Sequence, residues 1–391
     1  MKKITSFLLT AIATYSIGAQ SFVQSYQNRA NAVSQTNIIT NLQEFASWGI
    51  KKTGTPANAN ALNWLKNKYI SYGYTASQIV EDPFTYGNAS SKNLVITKTG
   101  TVYPNKYVII CGHFDTIAGP GVNDNGSGTS IILEAARILR TISTEYSIKF
   151  IHFSGEEQGL IGSKHYVDNV AYQGSNRILD IKLVFNLDQV GGVNGNNNTI
   201  VYCDEDQGGL QSNNAASAAV TQELRNCTAL YSPLQTDVDP AVDTDYVPFE
   251  ERGEVITGFF ENIRSSYPHT ANDTFANTDP VYIYNIGKAT LGALQHFAVA
   301  SETLGTHETL PKNTLESIKI YPNPAKNLIN IDFPDAKVKN FSFEITDFQG
   351  RSLLKVANEK KVNISELENG AYIGILKTGD QTVARKVIVA K

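Results

Sequence analysis

Residues 107–129 read YVIICGHFDTIAGPGVNDNGSGT. The opening apolar run has the pattern of a strand buried on both faces. It stops at His113 and Asp115 and opens into a glycine-rich loop that carries Asp124. A strand ending in a His and two carboxylates is either an ion-paired turn or a metal site.

The same design recurs outward from this stretch. IKFIHFSGEE is an apolar strand ending in Glu156 and Glu157, and ILDIKLVFNLDQVGG is another ending in Asp188. Between and around these strands lie segments of helical spacing: NIITNLQEFAS, ANALNWLKNKYISYG, SGTSIILEAARILRTI, and a closing VYIYNIGKATLGALQHFAVASETL. EVITGFFE reads as one more strand. Strands alternating with helices predict an α/β unit, a mixed and mostly parallel sheet sandwiched by helices.

After Leu304 the pattern changes. THETLPKNTLES is polar, and from Ile318 the chain alternates with period two between turn signals, which predicts a small all-β sandwich. The expected organisation is a leader at 1–19, a lead-in or short propeptide at 20–36, the α/β unit at 37–304, a linker at 305–314 and the β-sandwich at 315–391. The leader follows from Lys2 and Lys3, the apolar run Ile4–Ile17 and the small residues before Gln20. No later segment approaches the ~18 apolar residues of a membrane span.

The chain has 391 residues, 41% hydrophobic and 18% charged. Residues 309–391 carry 13 Lys+Arg against 9 Asp+Glu, net +4, while residues 1–308 carry 20 against 28, net −8. An acidic unit without Lys/Arg clusters is a poor match for nucleic acid. Export permits a disulfide, for which Cys203 and Cys227 are the candidates, whereas Cys111 sits inside the apolar run as a buried thiol.

In α/β sheets, ligands collect beyond the carboxyl ends of the strands. Three successive strands deliver His113, Asp115, Asp124, Glu156, Glu157 and Asp188 to that edge, and His269 lies in the loop SSYPHTANDT. Each has an ordinary structural explanation: a turn-forming Asp, a carboxylate pair at a helix N-terminus, an exposed His. Together they do not, because carboxylates sharing one edge repel unless a cation lies between them. Two His and several carboxylates is a zinc-like set. Five ligands serve two ions if one carboxylate bridges, and one of the adjacent pair Glu156/Glu157 is then left to act as a base. His152, His165, His296 and His307 are not spaced to join this group.

The motifs HFD, GVNDNGSG, SGEEQGLIGS, NLDQVG and YPHTANDT, in this order, resemble those of the secreted co-catalytic zinc aminopeptidases of metallopeptidase family twenty-eight. The resemblance runs from about residue 38 to 303 and includes TGTPANANALNWL and TDYVPF. It implies the zinc exopeptidase fold and two zinc ions per chain. His113 and Asp188 would hold one, Glu157 and His269 the other, and Asp124 both. It further implies that Asp115 orients the His113 ring and that Glu156 is general base and acid for a hydroxide formed at the zincs. Gly126 and Gly128 would allow the tight passage from Asp124 into the next helix. Two positions depart from the family: Pro268 precedes His269 where Tyr is frequent, and Tyr246 stands where His is common. The implied activity is removal of N-terminal residues from peptides. A carboxypeptidase or a glutaminyl cyclase on the same scaffold are the alternatives, the former disfavoured because no arginine was evident beside the motifs.

IYPNPAKNLINI, ITDFQGRSLLKV, ISELENGAYIGIL and ARKVIVAK resemble the type nine secretion system sorting domain. This implies handling by outer-membrane secretion machinery and a secreted or cell-surface location. The expected partners are thus peptide substrates and that machinery, with no nucleic acid, no stable membrane span and a monomeric chain.

Overall fold

The computed structural model describes residues 20–302, 319–333, 341–347, 351–378 and 381–391. The leader and the linker lie outside these residues. The chain divides into two compact units, residues 1–305 and 306–391.

The first unit is built on one eight-stranded sheet of order β1-β2-β4-β3-β7-β10-β8-β9. Its strands are β1 (Ile79–Tyr86), β2 (Ala89–Lys98), β3 (Tyr103–His113), β4 (Tyr146–Phe153), β7 (Asp180–Leu187), β8 (Ile200–Glu205), β9 (Gln235–Pro240) and β10 (Ile256–Glu261). A separate hairpin holds β5 (Tyr172–Gln173) and β6 (Asn176–Arg177). The four central strands β4, β3, β7 and β10 run parallel, and β8·β9 is also parallel. β1·β2, β2·β4 and β10·β8 are antiparallel. The helices are α1 (Gln24–Ala30), α2 (Gln35–Ser47), α3 (Pro56–Ser71), α4 (Gly128–Leu139), α5 (Ile161–Tyr166), α6 (Gln211–Tyr231), α7 (Val247–Glu250) and α8 (Pro280–Phe297).

Local chemistry sets several boundaries. Ser34 and Thr55 accept the N–H groups of Asn37 and Asn58 to cap α2 and α3, and Pro56 opens α3. Asp279 caps α8 through the N–H groups of Val281 and Tyr282 ahead of Pro280. The core lies on both sides of the central strands: Ile110, Phe150, Phe185 and Phe259 with one set of helices, Ile109, Ile151, Phe153 and Val184 with the other.

Residues 20–36 pack on this unit, with Tyr26 and Ala30 of α1, followed by Val33, buried on the main core. Arg29 Nη1 donates to Gln295 Oε1 at 3.1 Å and Nη2 to the Ser301 carbonyl at 2.7 Å, clasping the end of α8. The three thiols are all free and buried, so Cys203 and Cys227 do not pair. Burial raises both thiol pKa values.

In the second unit, β11 (Lys319–Tyr321), β12 (Leu328–Asp332) and β15 (Lys361–Asn363) form one sheet. The other sheet is β14 (Ser352–Ala357), β13 (Ser342–Thr346), β16 (Gly370–Thr378) and β17 (Gln381–Val389). Alternate residues Ile329, Ile331, Phe343, Ile345, Leu376 and Val387 enclose its core.

Candidate metal centre

The parallel order β4-β3-β7-β10 carries four strand ends to one edge. β3 ends at His113, with Asp115 two residues on; β4 leads to Glu156 and Glu157; β7 leads to Asp188; β10 leads to the loop bearing His269. Asp124 lies in the irregular turn Val122–Ser127, where it and Asn125 leave helical backbone angles just before α4. All seven anticipated residues therefore meet at this edge.

They form two triads. His113, Asp124 and Asp188 present ligand atoms within 4.8 Å of one another, and so do Asp124, Glu157 and His269. His113 Nε2 is 3.1 Å from Asp124 Oδ1 and 3.3 Å from Asp188 Oδ1. His269 Nε2 is 3.1 Å from Asp124 Oδ2 and 2.9 Å from Glu157 Oε2. The two oxygens of Asp124 thus face opposite triads. Glu156 Oε2 is 3.9 Å from His113 Nε2 and belongs to neither triad.

The electrostatics describe too many acids in one place. Burial and the carboxylates of Asp188, Asp245 and Asp115 push Glu156 well above the carboxylate range, despite His113. Burial and Asp124 push Glu157 up to about 8. Burial would lower the His113 pKa, but Glu156, Asp188 and Asp124 hold it well above the ordinary value. Burial opposes the ionised form of Asp124 too, yet hydrogen bonds from His113 and His269 bring it down to about 2. A divalent cation bound among these groups would relieve this repulsion, and imidazole plus carboxylate is a donor set that suits zinc. The residues therefore fit the ions that the motifs imply.

The surrounding contacts specify how Asp115 meets the His113 ring. The Asp115 carboxylate does not hold the His113 ring directly: Oδ1 is 3.7 Å from Nδ1, whereas the Asp115 main-chain oxygen is 3.1 Å away. The carboxylate is occupied elsewhere, accepting from the Glu156 N–H at 3.2 Å and the Thr53 hydroxyl at 3.3 Å. Asp115 thereby ties the start of the Glu156–Glu157 turn to the end of β3. The glycines are needed for space. Gly128 has φ −61°, but a Cβ there would strike the Leu187 carbonyl oxygen, and one at Gly126 would meet the Phe45 ring. Gly121 alone in this turn has a left-handed backbone, φ 63°.

Several supporting residues escaped the sequence reading. Asp273 accepts the N–H groups of Asn123 at 2.7 Å and Asp124 at 3.0 Å, linking the His269 loop to the Asp124 turn. Glu261 accepts from Asn123 Nδ2, Gly192 N and Ser265 N. Thr244 donates to Asp188 Oδ2 at 2.8 Å. Asp273 and Thr244 lie inside the quoted stretches YPHTANDT and TDYVPF, so their proximity to the site was signalled, though their partners were not. Tyr246 is fully buried, its hydroxyl accepting from Val242 N and donating to Asp204, and so does not line the cleft. Tyr267 is also absent from the lining.

The triads open into a cleft of about 220 Å³, lined also by Gln189, Val242, Asp243, Phe260 and Arg264. Arg264 overturns the expectation that no arginine accompanies these motifs. The remaining described histidines are structural. His152 pairs with the Tyr69 hydroxyl, His165 with Asp82 and His296 with the Tyr231 hydroxyl. His307 lies outside the described residues.

A mixed sheet whose parallel strand ends gather His and carboxylates is a scaffold suited to a metal centre. The profile of peptidase family M28 matches residues 93–294, and the chain belongs to that family. The profile of the secretion system C-terminal sorting domain matches residues 319–390. Aminopeptidase YwaD of Bacillus subtilis is 41% identical over 108 residues, which is 27% of this chain and 23% of that protein. The chain spans only 23–50% of the length of the first curated relatives it matches. The Legionella pneumophila LapA aminopeptidase structure superposes with a TM-score of 0.63 at 21% identity, covering 76% of this chain and 80% of that one. The Bacteroides thetaiotaomicron glutaminyl cyclase structure, bound to N-acetylhistamine, gives 0.56 at 15%, covering 67% and 97%. At these identities the two likenesses establish the shared fold.

Proposed function

We propose that this chain is a zinc-dependent aminopeptidase that holds two ions and is exported under the direction of its C-terminal unit. The observation that carries the reading is Asp124, one carboxylate whose two oxygens each face a separate His, at 3.1 Å in both cases. His113 and Asp188 would hold one ion, Glu157 and His269 the other, and Asp124 both. Bound zinc lowers the pKa of water and polarises a carbonyl oxygen.

The chain supplies the rest. Glu156 belongs to neither triad and lines the cleft, so it is placed to take a proton from the attacking water and return it to the leaving amine. Asp115, through the Glu156 N–H, holds the start of that turn in register. The acidic lining, which includes Asp188 and Asp243, suits a substrate's free α-ammonium group.

Arg264 lends the carboxypeptidase alternative an observation, so the direction of cleavage is the test. A Leu-led peptide with free ends is followed by mass spectrometry, with and without a chelator. Stepwise loss from the N-terminus, stopped by the chelator, is expected. Loss from the C-terminus would replace the reading with a carboxypeptidase. No shortening, while a second peptide led by Gln is converted to its pyroglutamate form, would replace it with a cyclase.

A further inference from the structure

Arg264 is the one Arg or Lys among the described residues that line the metal cleft. Its position is built into the fold. It lies three residues after the end of β10, and the next residue is pinned by the bond from Ser265 N to Glu261 Oε1 at 2.7 Å. Glu261 is itself buried and tied to Asn123 and Gly192. The guanidinium lies over the Phe260 ring, 5.0 Å from its centroid, and Nη2 donates to Asp239 Oδ2 at 3.0 Å. The side chain is still 55% exposed. Stacking on an aromatic face and a single carboxylate contact orient a guanidinium, whose planar fork carries five donors suited to carboxylate recognition.

The cleft's small volume, about 220 Å³, limits what Arg264 can reach. Arg264 lines the same cleft as Asp124, Asp188 and His269 of the triads, so a group bound there lies close to the hydrolysed bond. The cleft is also divided in charge. Asp243 and the triad carboxylates suit an ammonium, and Arg264 suits an anion. A peptide carrying both charges close to the hydrolysed bond matches that division.

We propose that Arg264 selects substrates presenting a carboxylate close to the scissile bond. This rests on the aminopeptidase reading above. The carboxylate has two sources: the C-terminus of a di- or tripeptide, or the acidic side chain of the released residue. Asp239 moderates the selection by competing for the guanidinium.

The test measures kcat/KM for zinc-loaded full-length protein on two matched pairs, Leu-Ala against Leu-Ala-amide and Glu-Ala-amide against Gln-Ala-amide. In the wild type, at least one pair should favour the carboxylate by roughly tenfold, the scale of one charge-assisted hydrogen bond. The favoured pair identifies the source. Arg264→Gln should bring that ratio close to one, and Asp239→Asn should raise it. Ratios near one in the wild type, or ratios unchanged by Arg264→Gln, would overturn the proposal. Failure of the underlying reading looks different. It would appear as cleavage of N-acetyl-Leu-Ala or as no turnover of any member of the set. In that case calorimetric binding of Leu-Ala against Leu-Ala-amide, in wild type and Arg264→Gln, still decides whether Arg264 reads a carboxylate.

Discussion

The M28 unit and the sorting unit bury different things. In the first, the central parallel strands run from an apolar interior into carboxylates and histidines, and His113, Asp115, Asp124 and Asp188 are nearly inaccessible to solvent. In the second, Thr346 is the one buried polar residue among those described, and the interior is Ile, Val, Leu and Phe. Burying ionisable groups costs free energy that packing does not return. A unit that, beyond its other buried charges, gathers His and carboxylates at one strand edge is suited to a cation there. A unit that does not is organised around its own stability and its outer surface.

The largest effect that should sharpen this contrast is at Glu156. Glu156→Gln is expected to lower kcat by about 10²–10⁴-fold, the usual worth of a positioned acid-base group. Zinc content per chain should stay at the wild-type level. Loss of zinc together with activity would make Glu156 a ligand instead.

Removing the other unit should do the converse. Deleting residues 315–391 should leave aminopeptidase activity in cell lysates, because every residue assigned to the cleft lies before residue 306. The culture medium and cell surface should lose it. Unchanged export would mean that the sorting unit is not the address.

A smaller effect is expected at Asp273, which holds the Asp124 turn without belonging to either triad. Asp273→Ala should weaken metal retention about 10- to 100-fold in competition with a chelator, as loss of a ligand's hydrogen-bonded support does. Equal retention would show that the turn holds itself.

The smallest concerns pH and a buried group far from any ligand role. His152 is fully buried in β4, and burial lowers its pKa to about 3. An unfolded His titrates near ~6.5, so from there down to the folded pKa the unfolded chain binds a proton that the native state refuses. Stability therefore falls as pH drops across that window, by at most about 1.4 kcal/mol per pH unit from this residue. His152→Gln should flatten the acid side of the denaturation-midpoint profile between pH 6.5 and 4.5. An unchanged slope would assign acid sensitivity to other groups, among them His296, whose pKa burial lowers to about 4.

Which elements were legible follows from the residues themselves. β3, β4 and β7 are continuous apolar runs because both of their faces are covered, and β10 shares that burial. The outer strands carry no such run. IVEDPFTY in β1 and QTDVDP in β9 contain acids and a proline and carry no continuous apolar run, yet they pair along their length at the sheet margins. α6, QSNNAASAAVTQELRNCTALY, is weakly patterned and takes its place from burial of Leu224, Cys227 and Tyr231.

By itself, the sequence determined the α/β class, the β-unit that follows it and the list of residues able to hold metal. Apolar period and the residue at each strand end are local properties, readable in one pass. Only the tertiary structure decided how those residues are held and what else faces them. Asp273 reaches Asn123 across 150 residues, and Arg264 enters the cleft from an exposed turn. Such contacts depend on which strands become neighbours. That order is set by the packing of the whole sheet and leaves no period in the chain.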